Sequence, residues 1–279
     1  MAGMDAEHNQ PRVALVAGAT RGAGRAIAVE LARAGLYVYA TGRSSRAAGR
    51  SEIGRPETIE ETGELLAAAG GEGTALVVDH EDPRAVRDLV ARIEADRGRL
   101  DVLVNDIFGG DRYAQWHRPM WEHDLAGGLR MLRMGVDTHI ITAHAALPLL
   151  LRSGHGLLVE MTDGTAEVNA NYREGVGFFY DLVKANVSRI ILSLAHELRG
   201  RPVTALGSRP AGCARRPCST GSGSPRRTGA TPWPRCRGSR SRSRRPMWPA
   251  GSPASPRTRR WPGSPGRCSP PASWPTGTA

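Results

Sequence analysis

The sequence predicts an α/β protein: a doubly wound parallel sheet, followed by a C-terminal tail of another character. Three observations lead there. Short apolar runs alternate with helical stretches through residues 13 to 206. Those runs are apolar at successive positions, as in strands covered on both faces. A glycine-rich turn separates the first run from the first helical stretch. Strands and helices alternating in this way pair in parallel through right-handed crossovers, which lay helices on both faces of the sheet. Ligands of such sheets bind beyond the carboxyl ends of the strands, so candidate residues count most there.

VALVA (13–17) is the first predicted strand, and Ile27, Leu31 and Ala34 set the helical spacing that follows its glycines. LYVYATG (36–42), TALVVD (74–79), LDVLVN (100–105), GLLVEMT (156–162) and PVTAL (202–206) are the other predicted strands. Helical patterns fall near 57–69, 83–97, 122–152 and 178–199. The chain divides into an N-terminal arm (1–12), the α/β domain (13–206) and the tail (207–279). All four cysteines (Cys213, Cys218, Cys236, Cys268) lie in the tail, and no His/Cys/acid cluster in the body has ligand spacing, so no metal is expected. Met1–Gln10 is polar and acidic, and no apolar run approaches the ~20 residues that span a bilayer. A cytoplasmic protein without a membrane partner is the expectation.

AGATRGAGRAIA (17–28) carries the first chemical signal. Gly18, Gly22 and Gly24, with Thr20 and Arg21 between them, allow a tight turn and close backbone approach to a pyrophosphate, whose charge the N–H groups and dipole of the next helix stabilise. Tyr180 and Lys184 stand four residues apart, on one face of a predicted helix. A phenol of pKa ~10 exchanges protons poorly near neutrality, and a nearby ammonium favours its ionised form. Tyr180 is therefore a candidate acid in carbonyl reduction and base in alcohol oxidation. Tyr172 lacks a lysine four residues on and is the weaker candidate.

The spacing G-x-x-x-G-x-G, Asp79 at the end of the third strand, VNDIFGG (104–110) and the Y-x-x-x-K of FYDLVK occur in an order that resembles the short-chain dehydrogenase/reductase family. The resemblance covers residues 13 to about 206 and implies a Rossmann-type fold. It also implies that Asp79 contacts adenine, that Asn105 belongs to the run written N-N-A-G in the family, and that Lys184 orients the cofactor ribose. An NAD site needs a carboxylate after the second strand, whereas a 2′-phosphate needs cations there. This chain has Thr41 at that end and Arg43 beyond it, with Arg21 in the glycine turn, which favours NADP(H). The serine expected after the fifth strand is replaced by Thr162-Asp163. Thr162 keeps a hydroxyl, whereas Asp163 could accept a hydrogen bond but would repel a developing alkoxide unless protonated. The family's fourth-helix asparagine falls near Gly135, with Asp137 close by. Trp116, Trp121, His117 and His123 can reach the mouth of the site, or else pack as caps and core. His139 and His144 lie on the long fourth helix, which often forms a dimer interface in the family.

The expected activity is hydride transfer between NADP(H) and a small-molecule carbonyl or alcohol, with Tyr180, Lys184 and Thr162 or Asp163 at the reacting centre. Rival readings are a non-catalytic NADP-binding regulator and a nucleic-acid binder acting through the tail. A homo-oligomer through the long fourth and fifth helices is expected where the C-terminus is intact.

The tail determines the overall charge. Residues 207–279 hold fifteen arginines and no Lys, Asp, Glu or His, in a chain of net charge +11, so the body is mildly acidic. Fourteen of the twenty prolines also fall there. An arginine-rich arm could hold phosphates, and a chain of Pro, Gly, Ser and Arg could stay disordered. A one-base frameshift accounts better for where this composition begins. Back-translated through GC-rich codons and shifted one base, residues 207–223 become V-T-P-G-W-L-R-S-E-A-M-L-D-R-F-G, which restores the turn the family places after this strand. On that reading the tail is non-native, carries no specific nucleic-acid function, and leaves the domain truncated.

Overall fold

A computed structural model of the chain describes residues 10–49, 52 and 54–210; the expectations for the N-terminal arm and for the tail beyond Pro210 lie outside the described residues, apart from residues 10–12. β1 (Val13–Ala17), β2 (Tyr37–Gly42), β3 (Gly73–Val77), β4 (Val102–Asn105), β5 (Gly156–Met161) and β6 (Val203–Ser208) form one sheet in the order β3-β2-β1-β4-β5-β6. All five neighbouring pairs are parallel. The winding reverses between β1 and β4, and such a switch point opens a crevice beyond the carboxyl ends of those two strands.

The helices are α1 (Gly22–Arg33), α2 (Ile59–Ala68), α3 (Pro83–Arg97), α4 (Leu125–Leu132), α5 (Thr138–Arg152), the single turn α6 (Ala166–Asn169) and α7 (Phe178–Glu197). Successive strand residues point to opposite faces, so each apolar run supplies two cores. Ala14, Val16, Val38 and Ala40 face α1 and α2 through Ala28, Ala32, Ile59 and Leu66. Val13, Leu15, Tyr39, Leu103 and Leu158 face α3 and α5 through Leu89, Ile93, Ala146 and Leu149. Helix ends follow local chemistry: Thr58 and Glu61 close a capping box on α2, and Asp82 caps α3 ahead of Pro83.

Several boundaries move. The stripe buried on α1 is Gly24, Ala28 and Ala32; Ala28 and Ala32 lie one residue on from the predicted Ile27 and Leu31, and the predicted Ala34 is the C-cap. Small residues let this helix lie close to the sheet where it leaves the glycine turn, and the larger ones flank the contact. The fourth helical stretch begins at Leu125 and is interrupted by a π turn, Arg133–Asp137, between α4 and α5. Together Leu125–Arg152 is long and apolar enough to cross a membrane, contrary to the reading that no run approaches that length. Its inner face, including His139, Thr142, Ala146 and Leu150, is buried, so it serves as a core helix. β6 runs two residues past Leu206, pairing Gly207 and Ser208 with Glu160 and Met161. On the α1/α2 side of β5 and β6, Leu157 and Val159 are only partly buried and Leu206 is 38% exposed.

Candidate active site

Gly18, Thr20, Arg21, Gly22, Arg43, Asp79 and Asp106 line a cleft of about 460 Å³ at the switch point. That volume falls in the ~300–1,000 Å³ range usual for small-ligand clefts. Gly18 has φ +87°, and a Cβ there would collide with the carbonyl of Asp106, so only glycine lets the ends of β1 and β4 come this close. A Cβ on Gly24 would meet the carbonyl of Gly18 at 2.5 Å. Gly24 does not line the cleft; its role is close packing of α1 on the turn. Arg21 precedes α1 and makes no side-chain capping bond. The Gly24 N–H donates to the Asp106 carboxylate.

Arg43 is held by carboxylates, 2.8 Å from Glu81, 3.5 Å from Glu52 and 4.0 Å from Asp79. Arg130 on α4 bridges the same Glu52 and Glu81, tying α4 to the rim of the cleft. Neither glutamate was singled out in the sequence, because pairs separated by 9 to 78 residues leave no local pattern.

A second cavity of about 170 Å³ is lined by Thr162, Asp163, Tyr180, Lys184, Gly135 and His139, among others. Asp106, Ile107 and Phe108 line both cavities, so the segment that leaves β4 borders each of them. The Tyr180 hydroxyl donates to Asp163 Oδ2 at 3.1 Å. Arg173 Nη1 holds Asp163 Oδ1 at 3.1 Å, and Arg173 Nε donates to Asp181 at 3.1 Å. Lys184 is buried with its Nζ 3.8 Å above the Phe108 ring centre and 5.5 Å from that of Tyr180. Burial lowers the Lys184 ammonium below its ordinary value. The Tyr180 phenol is pushed well above 10, first by burial and then by the charge of Asp163, rather than lowered as the lysine alone suggested. Trp116 packs on Tyr180 with ring centres 5.0 Å apart, and Phe108 meets it edge-on at 5.8 Å.

Other expectations are corrected. Asn105 is fully buried and lines neither cavity; its Nδ2 donates to Glu160 at 2.8 Å, under the site. Its neighbour Asp106 faces the cleft instead, and burial raises that carboxyl to about 6. Thr162 lines the pocket, but its Oγ1 accepts from Asn169 Nδ2 at 3.1 Å. Asp137 is exposed, away from the pocket, and so is Tyr172. His139 is 2% exposed, no surface residue of an interface: its Nδ1 pairs with Glu160 and its Nε2 lies 2.9 Å from the Ile107 carbonyl. His123 stacks on Phe179, His117 packs against Gly175 in a left-handed conformation, and Trp121 is 82% exposed. Among the described residues no group of His, Cys, Asp or Glu is placed to hold a metal ion.

One signal in the sequence went unused. Of the 38 Lys and Arg residues, Lys184 alone is lysine. In a chain that uses arginine everywhere else, the one ammonium stands where a compact point charge, not a planar fork, fits beneath Phe108 and Tyr180.

Residues 12–216 match the short chain dehydrogenase family. Human dehydrogenase/reductase SDR family member 1 is 30% identical over 210 residues, covering 71% of this chain and 59% of that protein. The matched part of the chain thus spans about three-fifths of the length of this relative and of its mouse counterpart. A solved short-chain dehydrogenase/reductase from Burkholderia xenovorans is 28% identical with a TM-score of 0.61, covering 72% of this chain and 74% of its own. A metagenomic short-chain oxidoreductase in complex with NADP shares the fold, with a TM-score of 0.57 at 23% identity over 72% of this chain and 82% of its own. The glycine turn joined to a Tyr180–Lys184 pocket across one switch point, and a family match over most of the α/β body, make this chain a member of the short-chain dehydrogenase family of oxidoreductases.

Proposed function

We propose that the protein transfers hydride between NADP(H) and a small-molecule carbonyl or alcohol, with Tyr180 as acid and base. The carrying observation is that Asp106, Ile107 and Phe108 line both cavities, which supports a reading in which a substrate in the inner pocket meets a nicotinamide held in the outer cleft. The glycine turn fits a dinucleotide: the close approach it permits at Gly18 and the N-terminus of α1, where the Arg21 side chain makes no cap, offer space and a positive dipole end for a pyrophosphate. Bound there, the nicotinamide supplies or accepts the hydride. The chain's own groups do the rest. Lys184 holds the ribose and offsets charge near Tyr180, Asp79 lies toward the adenine end, and Arg21 and Arg43 receive a 2′-phosphate. Arg43 must exchange Glu81 and Glu52 for that phosphate, so NADPH should bind more tightly once Glu81→Gln frees it, and more weakly in Arg43→Ala with NADH little changed. Fluorescence titration of both cofactors checks this.

The reading is tested by following NADPH absorbance with a panel of ketones and aldehydes. Turnover that falls about 10²–10⁴-fold in Tyr180→Phe supports it; turnover indifferent to Tyr180 sinks it. A second reading, a non-catalytic cofactor-binding regulator, is favoured by the engagement of Thr162 with Asn169 and of Tyr180 with Asp163. Tight NADPH binding without turnover of any substrate in the panel would select it. The same proposal includes a cytoplasmic location, no specific nucleic-acid or membrane partner, and self-association through the long helices, where Leu129, Ile140 and Leu192 are exposed.

A further inference from the structure

We propose that Asp163 is the proton partner of Tyr180: as the phenol oxygen takes the proton of a substrate alcohol, the phenol's own proton passes to the Asp163 carboxylate, which Arg173 holds in place. This rests on the oxidoreductase reading above.

The geometry is that of a relay set for a proton to leave the pocket. The phenol O–H is already donated to Asp163 Oδ2 at 3.1 Å, so the remaining lone pairs of Tyr180 Oη are the ones that can meet a substrate hydroxyl. Asp163 Oδ1 is fixed by Arg173 Nη1, and Arg173 is fixed in turn by Asp181 through both its Nε and its backbone N–H at 3.1 and 3.2 Å. Asp181 adjoins Tyr180 on α7, so a closed ring of contacts ties the end of β5 to the start of that helix. Arg173 is accordingly a positioning residue. Thr162, the other candidate for the missing serine, accepts a hydrogen bond from Asn169 through its Oγ1.

Charge gives the reason such a partner is needed. Tyr180 faces Asp163 and Asp111 on the acidic side and Arg173 and Lys184 on the basic side, in a largely buried place that makes a free phenolate costly. With a carboxylate at hydrogen-bond distance, no free phenolate has to form. In alcohol oxidation the substrate O–H breaks as the Tyr180 O–H re-forms, the original phenol proton goes to Asp163, and the C–H electron pair leaves as hydride for NADP⁺ while C=O forms. Reduction runs the same transfers backwards.

Two measurements on the full chain test this. Tyrosine ionisation is followed at 295 nm, with Tyr180→Phe subtracted to isolate this phenol from the other four tyrosines. Tyr180 should ionise at lower pH in Asp163→Asn than in the wild type; an unmoved titration overturns the proposal. NADP⁺-dependent alcohol oxidation is then compared in Asp163→Asn, which keeps the shape and the Arg173 contact, and in Asp163→Ala. The expected result is a loss of about a hundredfold or more in kcat with little change in KM, recovered in Asp163→Ala by added formate as a replacement acceptor. Rates within threefold of wild type, or a loss that formate does not restore, overturn the relay. A wild-type chain that turns over no alcohol or carbonyl at all overturns the oxidoreductase reading instead, and this proposal with it.

Discussion

At the scale of single residues, two buried titratable groups set opposite pH slopes on stability. His80 lies between the hydroxyls of Thr41 and Thr142, at 2.8 Å from each, and burial lowers it to about 4. The unfolded chain takes up that proton near pH 6.5 and the folded one only near 4, so this contribution is present above pH 6.5 and is lost as pH falls through that window. The loss amounts to about 3 kcal/mol. Asp106 acts the other way. Its carboxyl is raised to about 6, so its contribution is present below pH 4 and is lost as pH rises from about 4 to about 6. Asp106→Asn, which restores the asparagine of the family's N-N-A-G run, should therefore gain about 3 kcal/mol over wild type at pH 8 and nothing near pH 4. Urea denaturation of wild type, His80→Asn and Asp106→Asn across pH 4–8 separates the slopes; curves that stay parallel would discount both. Tyr180, Lys184 and the glycines were legible because their chemistry depends on spacing within one turn. The direction of Asn105 and the pairing of His139 with Glu160 were not, since each depends on which side of a strand faces a helix more than twenty residues away.

At the scale of elements, the helix over the pocket is shaped by its π turn. Arg133–Asp137 carries one residue more than an α turn would, and Gly135 within it lies against Val183 and Phe108. A Cβ on Gly135 would come within 2.6 Å of Val183 Cγ1, next to Lys184. Gly135→Ala should cost about 1–3 kcal/mol in urea midpoint terms and displace Lys184, weakening NADPH binding as well. Wild-type stability together with wild-type affinity in that variant would mean the turn is tolerant and does not set the site. Strand and helix existence was readable from apolar runs and 3.6-residue spacing, because each element buries a face of its own. The π turn left no trace in that spacing, since Met131, Met134 and Thr138 keep an apolar side throughout.

For the whole molecule, the sheet itself bears on the frameshift reading of the tail. Helices cover β1 and β2 on both faces, but on one face of β5 and β6 Leu157 and Val159 stay partly open and Leu206 is exposed. A restored frame would replace the last two residues of β6 by V-T and continue into the charged, amphipathic run beginning P-G-W-L. The coding DNA read across Thr204 to Gly212, with the intact mass of the expressed chain, should show a missing base. A chain made from the corrected gene should bind less of a hydrophobic dye and melt higher than the chain as written. A clean in-frame read, shared by close relatives, would retire the idea. Fold class was legible over the body because strands and helices alternate there, whereas the strand order came only with the structure and the tail offers no apolar periodicity to read.

The sole lysine gives the protein an unusual analytical property. Any reagent selective for ε-amines can modify this sequence at one atom only, and that atom belongs to a buried side chain lining the inner pocket. Reductive methylation, read by mass spectrometry on the peptide that carries Lys184 and so apart from the α-amine, therefore becomes a direct occupancy gauge: slow in the folded chain, slower with dinucleotide bound, and complete on denaturation.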